Sequence, residues 1–254
     1  MAREHVFIPD TQVRRGVKTD HLLAAANYIA AHQPDTVVVA GDWWDMPSLS
    51  RYEQKGSRYF EGRRYTDDID AGNAAMELFM QPISDEIEKG EWKPKLVFLM
   101  GNHEYRIERA VEADPVQLEG NIGYHHFNLS EWGWKVVPFR EIIELDGIMY
   151  SHFFQNPQSL MRGVLGGTID NRLNKLKHSF SMGHQQTLMW GCQYTATGRR
   201  IIGCVAGAFY QHQEEYQGPQ GNNYWRGMVY KHQVKKGEYD PMMLSLDYLR
   251  KEWL

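Results

Sequence analysis

Hydrophobic and polar positions follow one rhythm in the first half of the chain and another in the second. "HVFIPD", "TVVVAGD" and "KLVFLMGNHE" are short, nearly continuous apolar runs, each closed by polar residues. Between them, "DHLLAAANYIAAHQ" after Thr19 and the stretch from about Tyr65 to Lys89 carry the periodicity of helices, with Asp20 in a first turn. A β-α-β-α-β series of strands apolar on both faces predicts a sheet buried on both sides. After Glu131 strands dominate: "WKVVPF", "EIIELDGIMYSH", "FSMGH", "TLMWGCQYTA", "RRIIGCVAGAF" and "GMVYKHQV", interrupted by a helix within Pro157 to Lys177. The economical architecture is α/β, two packed mixed β-sheets flanked by helices. No repeat, low-complexity tract or Pro/Gly/Ser linker marks a boundary, so residues 1–254 are expected to form one domain.

The ends of these strands share a chemistry. Asp10 closes the first, Asp42 the second, Asn102 and His103 the third, His152 the "IMYSH" strand and His184 the "FSMGH" strand. Ligand sites in open α/β sheets gather outside the carboxyl ends of strands, where loops converge. Each residue alone is explained as a turn former or a satisfied histidine; their joint placement is not. Oxygen and imidazole donors without thiolates suit Mn²⁺, Mg²⁺, Fe or Zn²⁺ rather than a structural thiolate zinc site. An Asp that can bridge, beside His and an Asn amide oxygen, fits two ions about 3.5–4 Å apart that hold phosphate oxygens and an attacking hydroxide in line. The chemistry indicated is phosphoester hydrolysis.

Composition narrows the class only a little. With 42% hydrophobic and 24% charged residues among 254, a disordered or fibrous chain is excluded. The net charge of -4 supplies no global basic field, so contact with nucleic acid must come from local patches or from metal ions. No basic segment leads into an apolar run with a cleavage site, and no stretch of about 18 apolar residues occurs, so a cytoplasmic protein without a membrane partner is expected. The two cysteines, Cys192 and Cys204, flank a hairpin turn around Gly198. A cross-strand disulfide is conceivable there, but two reduced, small apolar side chains are the favoured reading.

Taken in order, Asp10 in "PDTQ", "GDWWD" at 41–45, "GNHE" at 101–104, "SH" at 151–152 and "GHQQ" at 183–186 resemble the signatures of the calcineurin-like metallophosphoesterase superfamily. "GDWWDMPSLS" and "YWRGMVYKH" also resemble a branch carried by bacteriophages. The resemblance implies an αββα metallophosphoesterase sandwich and hydrolysis by metal-activated hydroxide attack, with two divalent ions as cofactors, Mn²⁺ foremost and Mg²⁺, Fe or Zn²⁺ as alternatives. It makes Asp42 the bridging carboxylate, with Asn102, His152 and His184 completing one ion's shell and Asp10 serving the other. His103 would bind no metal but protonate the leaving oxygen, and Asp45 would orient it. Gln12 and Gln186 stand where the family has histidines, both in the shell of the second ion. Either their amide oxygens ligate a hard ion and favour Mn²⁺ or Mg²⁺ over Zn²⁺, or that ion is held weakly.

The substrate is read from other residues. Phosphoprotein phosphatases of this superfamily carry arginines directly after "GDxxD" and before "GNHE"; here Met46 and Met100 occupy those positions. The segment "RYEQKGSRYFEGRRY" interleaves Arg51, Arg58, Arg63 and Arg64 with aromatic residues, as binding of a single strand or nucleotide would need. A second polar-aromatic loop, Phe209 to Trp225, is expected at the rim, with His212 a candidate to contact the site; His125 and His126 are expected to be structural. The expected function is a phosphodiesterase or nuclease whose substrate is a nucleic-acid or nucleotide phosphoester; protein partners are not indicated. Two alternatives stay open: a small-molecule phosphomonoesterase, and a non-catalytic relative acting as a protein-binding scaffold.

Overall fold

The computed structural model describes residues 2–51, 60–214 and 218–254. Its first sheet contains β1 (Arg3–Ile8), β2 (Thr36–Val39), β3 (Lys95–Leu99), β4 (Lys135–Val137), β10 (Gly227–Lys235) and β11 (Glu238–Ser245), in the order β11-β10-β1-β2-β3-β4. The second contains β5 (Ile143–Leu145), β6 (Ile148–Tyr150), β7 (Phe180–Met182), β8 (Leu188–Tyr194) and β9 (Arg200–Ala206), in the order β5-β6-β7-β9-β8. Helices α1 (Asp20–His32), α2 (Tyr65–Glu88), α3 (Arg106–Ala113), α4 (Pro115–Leu118), α5 (Ile169–Leu176), α6 (Gly218–Gly221) and α7 (Leu246–Trp253) complete the chain. Both sheets are mixed: β1 to β4 run parallel, as do β6, β7 and β9, while β10, β11, β5 and β8 enter antiparallel. This is the α/β double-sheet sandwich expected from the sequence.

The period-two alternation of strands sorts the core into layers. Val6 and Ile8, Val37 and Val39, and Phe98 pack with Leu22 and Ile29 of α1 and Met76 and Phe79 of α2. The alternate residues Phe7, Val38, Val97 and Leu99 meet Tyr150, Ile202 and Cys204 of the second sheet. On the far side of that sheet, Phe180, Met182 and Val205 pack on Leu173 of α5. Three apolar layers follow from one alternation.

Local details depart from the sequence reading in two places, and a third settles an alternative it left open. "EIIELDGIMYSH" is a hairpin, β5 to β6, because Asp146 (φ 51°) and Gly147 (φ 86°) take the left-handed conformations of a tight turn. Strand β11 and helix α7 lie beyond the strands expected; Pro241 masks β11, and it is tolerated because β11 is an edge strand. In the β8–β9 hairpin Cys192 pairs with Ile202 and Cys204 with Trp190, so the cysteines are out of register and both are free. The disulfide alternative is thereby ruled out.

A lysine lies between the sheets. Lys231 of β10 is fully buried, with Nζ 3.1 Å from the Tyr150 hydroxyl, bonded to Ser181 Oγ and within 5.1 Å of the Phe7, Tyr150 and Tyr239 ring centroids. Burial pushes its pKa down from 10.5 to about 7. The unfolded chain therefore binds the proton more tightly, and stability is lost as pH falls from 10.5 toward 7 and then levels off. Lys231→Met should gain stability over wild type by an amount that is smallest above pH 10.5 and largest below about 7, the two differing by on the order of 5 kcal/mol at most. Denaturant titrations of both proteins across that range check it; a pH-independent difference would show that Lys231 stays charged in the fold.

Candidate metal centre

The carboxyl ends of β1, β2, β3, β6 and β7 lead into one cluster of loops. Pairing continues past the strands: the Gln12 amide donates to the Asp42 carbonyl and the Val13 amide to the Trp43 carbonyl, both at 2.7 Å. Gln12 (φ 44°), Asp42 (φ 52°), Met46 (φ 49°), His184 (φ 63°) and Gln186 (φ 49°) all adopt left-handed backbone, which costs about 1–3 kcal/mol each and gathers at functional sites. Glycine is required where carboxylates come close. A Cβ at Gly101 would collide with Asp42 Oδ1, and one at Gly183 with Asp10 Oδ1. The fully buried Glu104 accepts from the backbone amides of Asp42 (2.9 Å), Trp43 (2.6 Å), Trp44 (3.1 Å) and Gly101 (2.8 Å), pinning the "GDWW" and "GNHE" loops together. Burial, then the neighbouring Asp42 charge, push Glu104 up to about 7.

Donor atoms for a cation meet at the centre. Asn102 Oδ1 lies 2.9 Å from His152 Nε2 and 2.7 Å from His184 Nδ1, and Asp42 Oδ2 is 3.5 Å from His152 Nε2. Ligand atoms of Asp42, His152 and His184 all fall within 4.8 Å of one another. His152 Nδ1 sits 2.7 Å from the Ala40 carbonyl, and donation there leaves Nε2 of a neutral imidazole with its lone pair facing Asn102 and Asp42. Three acceptors then crowd one point, an arrangement a cation satisfies and a proton does not. Burial, then His152, lower His184 to about 4, which keeps its imidazole neutral and able to ligate.

Asp10 and Gln12 extend the set. Asp10 Oδ1 accepts from the His184 amide (2.8 Å), while Asp10 Oδ2 and Gln12 Oε1 are buried acceptors without a partner. Burial, then the Asp42 charge, raise Asp10 to about 6. The glutamines are not equivalent. Gln186 Oε1 accepts from the hydroxyls of Tyr210 (2.8 Å) and Tyr224 (3.3 Å).

Beside the cluster, His103 Nδ1 lies 2.8 Å from Asp45 Oδ1, and its Nε2 is 3.7 Å from Asp42 Oδ2. Burial opposes protonation of His103, but the Asp42 charge and the bond to Asp45 outweigh it, and its pKa is raised. Two arginines hold this pair. Arg14 Nη1 donates to Asp45 Oδ2 (2.7 Å) and to Glu214 Oε1 (2.9 Å); Arg106 donates to the Asp45 carbonyl (2.7 Å) and places Nη2 3.0 Å from His103 Nε2. His212 touches the same network through Glu214 Oε1 (2.7 Å) and stacks on Tyr210.

The arginines expected to bind substrate make backbone contacts where they are described. Arg51 donates to the Arg109 carbonyl, Arg63 to the Pro47 carbonyl and Arg64 to the Arg63 carbonyl, while Arg58 lies outside the described residues. Among the described residues, Arg14 and Arg106 are placed against the cluster; the sequence reading missed both, together with Glu104. "GNHEYR" held a signal for two of them; nothing local announces that Arg14 meets Glu214. His126 is structural, its Nδ1 lying 2.7 Å from the Tyr65 hydroxyl.

Two packed sheets whose strand ends bring together a buried Asp, Asn and His set define the class of metal-dependent phosphoric ester hydrolases. The chain belongs to the calcineurin-like phosphoesterase family, whose profile matches residues 6–186, a span that contains the whole cluster from Asp10 to Gln186. Two divalent ions and a phosphoester substrate belong to that assignment. Curated protein sequences yield no significant match. Among solved structures, a dimetal phosphatase from Danio rerio is similar at 12% identity and a TM-score of 0.46, with 96% of each chain covered. Among the described residues no helix is long and apolar enough to cross a membrane.

Proposed function

We propose that the protein is a single-domain, two-metal phosphodiesterase or nuclease acting on nucleic acid or nucleotides. The observation behind it is the crowding of Asn102 Oδ1, Asp42 Oδ2 and His152 Nε2 beside the His103–Asp45 pair. Asp42, Asn102, His152 and His184 would hold one ion; Asp42, Asp10 and Gln12 would hold the other, where the orphaned oxygens of Asp10 and Gln12 await a partner. That oxygen-rich second set favours Mn²⁺ or Mg²⁺. Bound divalent ions supply positive charge for the phosphoryl oxygens and lower the pKa of water at neutral pH. His103, held at Nδ1 by Asp45, presents Nε2 to the leaving oxygen and gives it a proton. A guanidinium only donates, so the 3.0 Å contact from Arg106 fits the unprotonated Nε2, and protonation of His103 would turn Arg106 away from that nitrogen and free its charge for the departing oxygen.

A diester fits the surrounding charge better than a monoester. A monoester brings a second negative charge, yet Arg14 is neutralised by Asp45 and Glu214. The two positions that carry phosphate-binding arginines in phosphoprotein phosphatases are Met46 and Met100, which are buried in the core. Incubation of a single-stranded oligonucleotide with the protein and Mn²⁺ should give chain scission that EDTA abolishes. Intact oligonucleotide alongside rapid monoester hydrolysis would overturn the reading.

The contrast between the glutamines gives a second test. Gln12→Ala should weaken binding of the looser ion about 10–100-fold, the usual cost of losing a group that supports a metal site. Gln186→Ala should weaken it less, since its Oε1 is already bonded to Tyr210 and Tyr224. Calorimetric titration with Mn²⁺ ranks the two, and the opposite order would assign the ligand to Gln186.

A further inference from the structure

Arg140 lies one ring away from the metal centre and serves none of the roles above. It follows β4, at the same sheet end as the metal loops, and is exposed. Its left-handed backbone (φ 72°) accompanies a guanidinium carbon 5.0 Å from the Phe139 ring centroid and 5.5 Å from that of Tyr105. Those rings stack on each other at 4.8 Å and 29°. Phe139 in turn stands 6.2 Å from the His152 ring. Among the described residues Arg140 forms neither an ion pair nor a hydrogen bond, and its guanidinium neighbours are the two rings.

Separations of 4.8, 5.0 and 5.5 Å place the guanidinium beside the stacked pair and near both rings, on a residue exposed to solvent. Nucleobases stack on arginine planes and aromatic faces, with little regard to which base is offered. A carboxylate partner would have tilted the plane and neutralised its charge; none is present among the described residues. We infer that Arg140, supported by Tyr105 and Phe139, is the platform on which a base adjoining the scissile phosphate stacks. The inference rests on the phosphodiesterase reading and adds a specificity-determining residue to it. The guanidinium charge also draws the phosphate backbone toward the centre, but the plane, not the charge, sets the preference for nucleosides.

The test compares thymidine 5′-(p-nitrophenyl phosphate) with methyl p-nitrophenyl phosphate, using wild type, Arg140→Ala and Arg140→Lys with Mn²⁺. Loss of one stacked base should raise KM for the thymidine ester about tenfold or more in Arg140→Ala with kcat retained, while KM for the methyl ester barely changes. Arg140→Lys keeps the charge without the plane and should behave like Arg140→Ala. An equal rise in KM for both esters, or wild-type behaviour of Arg140→Lys, would overturn the platform. A wild-type protein that hydrolyses neither ester would instead overturn the phosphodiesterase reading beneath it.

Discussion

Asp42→Asn should strip the protein of most bound divalent metal and reduce phosphoester hydrolysis by more than the roughly 10–100-fold that loss of a supporting group costs a metal site. The carboxylate stands between the two halves of the cluster: Oδ1 accepts from the His103 amide at 2.8 Å, and Oδ2 faces His152 Nε2 at 3.5 Å. Burial alone would raise its pKa, but the charge of His103 and the bond from the His103 amide help outweigh that and hold it below the ordinary carboxylate value. A permanent negative charge therefore sits where both proposed ions would share a ligand. Asparagine keeps the shape and the oxygen that meets the His103 amide, so the fold should survive. Metal analysis of the purified variant, with circular dichroism as the control for folding, checks this. Wild-type metal content in Asp42→Asn would place the bridge elsewhere.

His103→Ala should separate chemistry from metal binding. As a general acid His103 should contribute about 10²–10⁴-fold to kcat, with no loss of metal, because its Nδ1 is committed to Asp45 and only Nε2 turns toward the centre. The defect should shrink with leaving groups acidic enough to depart unprotonated, such as p-nitrophenolate, and be largest with alkoxide leaving groups. Loss of metal with the same substitution would make His103 a ligand and remove the proton donor from the account.

Strand ends were legible in the sequence because their signals are local. A buried strand is a run of apolar residues, and a polar residue beside a glycine marks where it stops; Asp42 beside Gly41, Asn102 beside Gly101 and His184 beside Gly183 are all of this kind. The geometry adds the reason: at Gly101 and Gly183 a side chain would occupy the space of the carboxylates themselves. What escaped notice depends on distance along the chain. Glu104 fastens amides at 42–44, and Arg14 meets Glu214, contacts that no local pattern encodes. Of the arginines expected to bind substrate, Arg51, Arg63 and Arg64 donate to backbone carbonyls and Arg58 lies outside the described residues. Register is likewise invisible locally: an offset of two residues in the β8–β9 hairpin separates Cys192 from Cys204. The two glutamines looked alike in sequence, and only the Tyr210 and Tyr224 hydroxyls distinguish them.

The central claim, metal-dependent hydrolysis of phosphodiesters, is tested most directly by the rates of bis(p-nitrophenyl) phosphate and p-nitrophenyl phosphate hydrolysis, measured side by side as Mn²⁺ is titrated into metal-free protein. Both esters release the same leaving group, so their ratio reports the charge and substitution of the phosphate that the site accepts. The account predicts no turnover without metal and a higher kcat/KM for the diester at saturating Mn²⁺. A faster monoester reaction, or turnover of either ester that does not depend on metal, would contradict it.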